Sequence, residues 1–285
     1  MSKSESVPFS VLMSVYRNDT REFVEETIKS IWNRQILKPD EIVIVVDGPI
    51  TEELSNYIHS LSSNEWINVY WHKENQGLGK TMAFGVLQCK NELVARMDSD
   101  DIAMPDRFAK QVEYLSANPS ISIVGGQISE FIDSPENIVG YRKVPLESEE
   151  CRLYYRNRDP LNHMTVMFRK SAILASGNYQ HWHLDEDTYL WGRVLKKGFK
   201  IANLPDVLVN VRSGKDMYAR RGGLKYFKSD TAILKWKHEN GFIGYGRYAY
   251  NYLIRFIVQV IMPNKVRGFI FSKLLRKKNN NIHTL

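Results

Sequence analysis

The stretch VARMDSDDIAMPDRF, residues 94–108, sets three carboxylates, Asp98, Asp100 and Asp101, into four positions directly after an apolar run. Charges of one sign crowded this closely repel one another. Either the segment is a polar turn bathed in water, or a cation belongs among them. Hard Mg2+ or Mn2+ favours carboxylate oxygens, keeps several waters, and typically bridges one or two carboxylates to substrate phosphates. Another acid, Asp47 in VVDGP, also follows an apolar run. A third acidic group, Asp185-Glu186-Asp187, opens the pattern EDTYLWGRV after a loop holding His181, Trp182 and His183. Acids at a helix start meet the helix dipole favourably. Beside two imidazoles and an indole, they also suit a polar ring and a moving proton. His163, in DPLNHMTVMF, is compatible with packing as well as with a site.

Two segments suit phosphate. NQGLGKT (75–81) carries the Gly-Lys-Thr ending of a P-loop, but the first glycine of that motif would fall at position 74, which is Glu74. That argues against nucleotide hydrolysis here. What remains is a loop whose glycines, Gly77 among them, let backbone approach a ligand ahead of a helix N-terminus. Arg220 and Arg221, in YARRGG, offer planar forks between permissive glycines; they read as a diphosphate contact or as a solvated basic turn.

The first half of the chain alternates strand and helix signals. FSVLMSVY (9–16), EIVIVV (41–46), INVYWH (67–72) and ELVARM (92–97) read as strands. Between them, Val24, Ile28 and Ile31 recur at helical spacing after Thr20 as N-cap, a helix covers 51–61, and another follows Gly77-Leu78-Gly79. Phe108, Val112 and Leu115 mark a further helix opened near Pro105. Strands separated by helices of this length predict βαβ units and a parallel sheet, whose ligands sit beyond the carboxyl ends of the strands. Asp47 and Asp98 both stand there. Later, 121–131, MTVMF (164–168) and VLVNVR (207–212) read as strands, and 185–198 as a helix ended by Gly198.

At 285 residues the chain can hold one large α/β domain, with or without an appendage. Its 43% hydrophobic and 25% charged content is ordinary for a soluble protein. Cys89 and Cys151 lack metal-ligand spacing and read as reduced cytosolic thiols, and MSKSESVPFS has no apolar core marking it for secretion. The net charge of +7 is unevenly spread. Residues 1–190 carry 19 Lys and Arg against 28 Asp and Glu, whereas residues 191–285 carry 20 against 4. The last third is therefore where a polyanion would bind. From Phe242 onward, Tyr245, Tyr248, Tyr250, Tyr252 and Phe256 mix with Arg247, Arg255, Lys265, Arg267 and Lys273. The longest apolar run there, YLIRFIVQVIM, is too short and too charged to span a bilayer. Aromatic rings and basic side chains favour an anionic membrane surface instead, although the same helices could pack internally.

SVLMSVYR, VVDGP, NQGLGKTMAFGV, RMDSDD, NHMTVMFRKSAIL and EDTYLWGRV occur here in the order found in family 2 glycosyltransferases with the GT-A fold. The chain resembles the bacterial enzymes that build O-antigen, capsule and exopolysaccharide repeat units, over about residues 8 to 223. The resemblance implies a Rossmann-like α/β GT-A domain over 1–222, with a mostly parallel sheet flanked by helices, and a basic helical tail over 223–285. It implies that Asp47 contacts the uracil of a UDP-sugar, that Asp98 lies near the ribose, and that Asp100 is a ligand to Mn2+ or Mg2+. Asp98 and Asp101 are further metal candidates. Asp187 matches the general base of inverting members, and Glu186 is its neighbour. Gly77, Arg220 and Arg221 are expected on the nucleotide sugar, and Glu186, His163 and Trp182 near acceptor or sugar. Where some relatives carry Arg-x-His, this chain has Arg212-Ser213-Gly214, so no histidine stands ready as a further metal ligand. The expected activity is transfer of a hexose to a lipid-diphosphate-linked glycan at the cytoplasmic membrane face, with no nucleic-acid partner. Two rivals are a metal-dependent nucleotidyltransferase, which leaves Asp187 unexplained, and a nucleic-acid-binding protein, which leaves the acidic cluster unexplained.

Overall fold

A computed structural model describes residues 7–213 and 223–262. The chain opens with β1 (Phe9–Val15), α1 (Arg21–Ile28), β2 (Glu41–Val46), α2 (Glu52–Leu61), β3 (Ile67–Trp71), α3 (Leu78–Gln88) and β4 (Leu93–Met97). These strands pair in the order β3-β2-β1-β4, all parallel. Their side chains are apolar in both directions because helices cover both faces of the sheet. In β2, Ile42, Ile44 and Val46 enter one core cluster while Val43 and Val45 enter the other. The two-residue period thus splits the core into two layers. One layer is closed by Val24 and Ile28 of α1, Leu54 and Ile58 of α2, and Phe108 and Val112 of α4 (Arg107–Ala117). Met82 and Val86 of α3, with Leu190 and Trp191 of α7 (Glu186–Lys196), close the second. Thr20 and Thr51 cap α1 and α2 by accepting from the N–H groups of Phe23 and Leu54.

The remaining strands are β5 (Ile102–Ala103), β6 (Ile121–Phe131), β7 (Ile138–Arg142), β8 (Met167–Arg169) and β9 (Lys200–Arg212), with α5 (Ser148–Tyr155) and α6 (Lys170–Ala175) between them. The sheet continues from β4 through β8, β6 and β9 to β5, with β7 pairing off β6. β5, β7 and β8 run against the other strands. Two strands differ from their sequence patterns. MTVMF begins as a 3-10 turn, His163–Thr165, and extends only from Met167. There Thr165 Oγ1 donates to Asn162 O at 2.7 Å and accepts from Gly126 N at 3.0 Å, so side-chain bonding displaces the ladder. β9 starts at Lys200, earlier than VLVNVR suggests, because Pro205 sits where the register against β6 shifts between Gly125 and Gln127.

Beyond the sheet, α8 (Leu224–Glu239) buries Phe227, Ile233 and Leu234, and its Lys237 Nζ donates to Tyr155 O at 2.7 Å. α9 (Tyr245–Phe256) leans on α8 through Phe227–Tyr252 and Phe227–Phe256 ring contacts and an Arg255–Asp230 pair at 2.7 Å. None of its residues is buried. Tyr250, Leu253, Ile254, Ile257 and Ile261 are all exposed and recur at the spacing of one helix face. Among the described residues no helix is long and apolar enough to cross a membrane. Cys89 and Cys151 are unpaired and buried.

Candidate active site

The carboxyl ends of β1, β2 and β4 meet at one edge of the sheet. Asp47, directly after β2, is buried and accepts from Gln76 N at 2.7 Å and Gly77 N at 3.0 Å. Asn75 Nδ2 bonds back to Asp47 O at 3.0 Å. Gly48 has φ of 85°, and a Cβ there would lie 2.5 Å from Asn75 N. A glycine is required for this loop to close on the strand end. Asp47 therefore holds the segment that starts α3, with Gly77 as its N-cap.

Two acids follow different paths at the end of β4. Both oxygens of Asp98 take the fork of Arg96, whose side chain is 3% exposed. Asp101 is buried and its Oδ1 accepts from Arg212 N at 3.0 Å, tying the acidic turn to the end of β9. Arg212 Nε also donates to Asp100 O at 3.2 Å while its guanidinium stacks over Phe23 and Phe131. Among the described residues no side-chain donor bonds the Asp100 carboxyl. Burial, and then the charge of Asp98, pushes that carboxyl up to about 6. A further carboxylate joins from the loop after β1. Asp19 Oδ2 accepts from Tyr16 N and Ser99 Oγ, both at 2.8 Å, and burial pushes it up to about 7 against those bonds.

The second half of the site is the start of α7. Asp187 Oδ1 accepts from Thr188 N at 2.7 Å, and its Oδ2 lies 3.9 Å from His163 Nδ1. His163 is buried, bonds Tyr179 Oη at 2.9 Å, and is held well below the usual imidazole range by burial and then by Arg96. Burial, then Asp159, then Glu186 push Asp187 up to about 7. Glu186 is raised too, chiefly by burial, and it feels both Arg96 and Asp98. A Cβ at Gly79 would stand 3.3 Å from Glu186 Cβ, so the first turns of α3 and α7 touch. The structure thus brings Asp47 with Gly77, the 98–101 turn, Glu186, Asp187 and His163 close together. Trp182 turns to α8: its Nε1 reaches Ser229 O at 3.4 Å, and its ring packs on Tyr189 of α7. Arg220 and Arg221 lie outside the described residues.

The Glycosyl transferase family 2 profile matches residues 10–174. AmsE, the amylovoran biosynthesis glycosyltransferase of Erwinia amylovora, is 36% identical over 93% of this chain and 98% of its own. The UDP-Gal:alpha-D-GlcNAc-diphosphoundecaprenol beta-1,3-galactosyltransferase of Escherichia coli is 34% identical over 96% of this chain and 99% of its own. The chain belongs to glycosyl transferase family 2. Its fold is GT-A: the mannosyltransferase PcManGT from Pyrobaculum calidifontis, solved in complex with GDP-Man and Mn2+, aligns with a TM-score of 0.63 at 13% identity, over 96% of this chain and 77% of that one.

In this glycosyltransferase the donor chemistry at β4 fits a hard divalent ion. Asp100 offers carboxylate oxygens whose ionisation is penalised by burial, a penalty that a cation would relieve, and Asp98 is next to it. Among the described residues no three His, Cys, Asp or Glu side chains are placed to hold a metal by themselves. Diphosphate and water would complete the shell, the usual habit of Mg2+.

Residue-type reasoning overlooked Arg96, Asp19 and Asp159. A charge inside the buried run ELVARM was the visible signal for Arg96. Asp19 is close to the 98–101 turn only because β1 pairs with β4. Asp159 accepts from Thr188 Oγ1 at 2.6 Å and adds negative charge beside Asp187; nothing in its local sequence announces this.

A raised carboxyl makes folding depend on pH with a definite sign. Asp187 ionises near 3.8 when unfolded and about 7 when folded, so its contribution is complete below 3.8 and is lost as pH climbs through 7. Asp187→Asn removes that loss. Relative to the wild type, the variant is expected to gain roughly 1–3 kcal/mol between acid and mildly alkaline pH. Urea unfolding at the two pH extremes checks this, and a difference independent of pH contradicts it.

Proposed function

We propose that the chain transfers a hexose from a UDP-sugar to a hydroxyl of a lipid-diphosphate-linked glycan, with inversion, in building a bacterial surface polysaccharide. The observation that carries this reading is the joining, around Arg96, of a metal-type acid turn and a separate buried carboxylate poised about neutrality. A base with a pKa near the working pH is the most effective kind. The Escherichia coli relative, similar over nearly the whole chain, is named for a UDP-sugar donor and a diphosphoundecaprenol acceptor.

The acceptor hydroxyl gives its proton to Asp187 as its oxygen bonds to the anomeric carbon. The sugar–diphosphate bond breaks from the opposite face, and its electron pair leaves on UDP. The loop fixed by Asp47, with Gly77 at the start of α3, holds the nucleotide, and Asp98 stands at its ribose side. Mn2+ or Mg2+ on Asp100, with Asp98, would supply a Lewis acid for the charge on the departing diphosphate. The Thr188 N–H that donates to Asp187 Oδ1 keeps the base oriented, and His163 packs beside it.

Screening UDP-Glc, UDP-Gal, UDP-GlcNAc and UDP-GalNAc against a one-sugar diphosphate-lipid acceptor, with NMR of the product linkage, tests the reading. One UDP-hexose is expected to be transferred with inverted configuration, and excess chelator should stop it. Asp187→Asn should cut turnover by about 10²–10⁴-fold with little change in donor affinity. A retained configuration, or donor affinity lost with turnover kept, would refute it.

The exposed apolar face of α9 and the basic residues after it also suit reversible attachment to the inner leaflet of the cell membrane, without a span. The full chain should sediment with anionic vesicles, less so at high salt, and a version ending near residue 240 should not. Equal behaviour of the two would return α9 to a packing role.

A further inference from the structure

The loop at 181–183 and the first two turns of α8 flank a shallow, open groove of about 380 Å³, mostly apolar in surface, lined by His181, Trp182, His183, Lys225, Lys228 and Ser229. Its floor is tied down: Ser229 Oγ donates to His183 O at 2.6 Å, and Trp182 Nε1 donates to Ser229 O at 3.4 Å. Lys225 and Lys228 are exposed, stand one turn apart, and have no carboxylate partner among the described residues. The acids of α8 are engaged elsewhere, Asp230 by Arg255 at 2.7 Å and Glu239 by Lys235 at 3.6 Å. Partial burial, then Lys225 and His181, hold His183 below the usual imidazole range. The groove therefore sets two unpartnered ammonium groups and two imidazoles, His183 inclined to its neutral form, beside an apolar indole. Its position joins two functional regions. His181 Nδ1 lies 3.8 Å from where a Cβ on Gly77 would stand, so one end abuts the loop that starts α3. α8, at the opposite end, carries the exposed helix α9.

We propose that this groove binds the diphosphate of a phosphoester ligand. Ammonium groups act on phosphate as point charges, imidazoles add hydrogen bonds, and a diphosphate would give Lys225 and Lys228 the counter-charge that the described residues do not supply. The chemistry admits two sources: the diphosphate of the sugar donor, or that of the lipid-linked acceptor. This inference rests on the function proposed above, and it adds a subsite that neither the acid turn nor Asp187 supplies.

The test compares the wild type, the double variant Lys225→Ala/Lys228→Ala, and Lys235→Ala as a control on the same helix. Titration calorimetry with inorganic pyrophosphate, free of divalent ions, reads the groove without donor or acceptor. The double variant is expected to lose about 10–100-fold in pyrophosphate affinity, as for two charge-assisted contacts, and the control is not. Kinetics then separate the sources. A matching rise in KM for a diphosphate-lipid acceptor, absent for the same sugar on an uncharged alkyl chain, assigns the groove to the acceptor. A rise in KM for the UDP-sugar assigns it to the donor. Unchanged pyrophosphate affinity together with unchanged KM values overturns the proposal. Should the wild type transfer no sugar, the proposed function fails, while the pyrophosphate titration still decides the groove.

Discussion

The site depends on one buried guanidinium. Arg96 stands on β4 in the middle of the sheet, grips both oxygens of Asp98, and is felt by Asp100 and Asp101 on one side and by Glu186, Asp187 and His163 on the other. A buried charge of this kind is tolerable only when it is paired and hydrogen-bonded. Beneath it Arg107, also buried, donates to Arg96 O at 2.6 Å and to Met97 Sδ at 3.0 Å. Burial, and then Arg96, push Arg107 down to about 9. Two buried arginines among these acids make one charged cluster. It holds only while β4 stays locked between β1 and β8.

That arrangement explains why the acids are poised rather than simply ionised. Arg96 pairs with Asp98, and Asp19, Asp100, Asp185 and Asp187 are all raised, with burial the largest cause in each. Unfavourable ionisation is therefore concentrated at two places: at the end of β4, where a cation would relieve it, and at the start of α7, where a proton would. The sheet brings them within one field because α3 and α7 start side by side at the same edge.

Much of this was legible in the amino-acid order. Asp47 and Asp98 end apolar runs that had to be buried strands, so their place at the carboxyl edge of the parallel strands followed from strand direction alone. Asp187 was legible as a helix opener. Pairing partners were not. Asp101 is held by the backbone of Arg212, 111 positions away, and Asp19 joins through the β1–β4 neighbourhood; both are facts of sheet order, which no local pattern encodes. Pro205 hid the first half of β9, and Thr165 bonding shortened β8, because local hydrogen bonding and a bulge overrode hydrophobic alternation. The groove on α8 was equally hidden, since its histidines and lysines lie some forty positions apart.

The claim that the acid turn awaits a cation and a diphosphate is tested most directly by Mn2+ binding itself. Mn2+ affinity would be measured by titration in the presence of UDP for the wild type, Asp100→Ala and Asp101→Asn. The account predicts that Asp100→Ala weakens Mn2+ by at least about ten-fold, the loss of one charged contact. Asp101→Asn, whose oxygen serves the backbone of Arg212, should leave the affinity nearly unchanged. Equal Mn2+ affinity in the wild type and Asp100→Ala would contradict it.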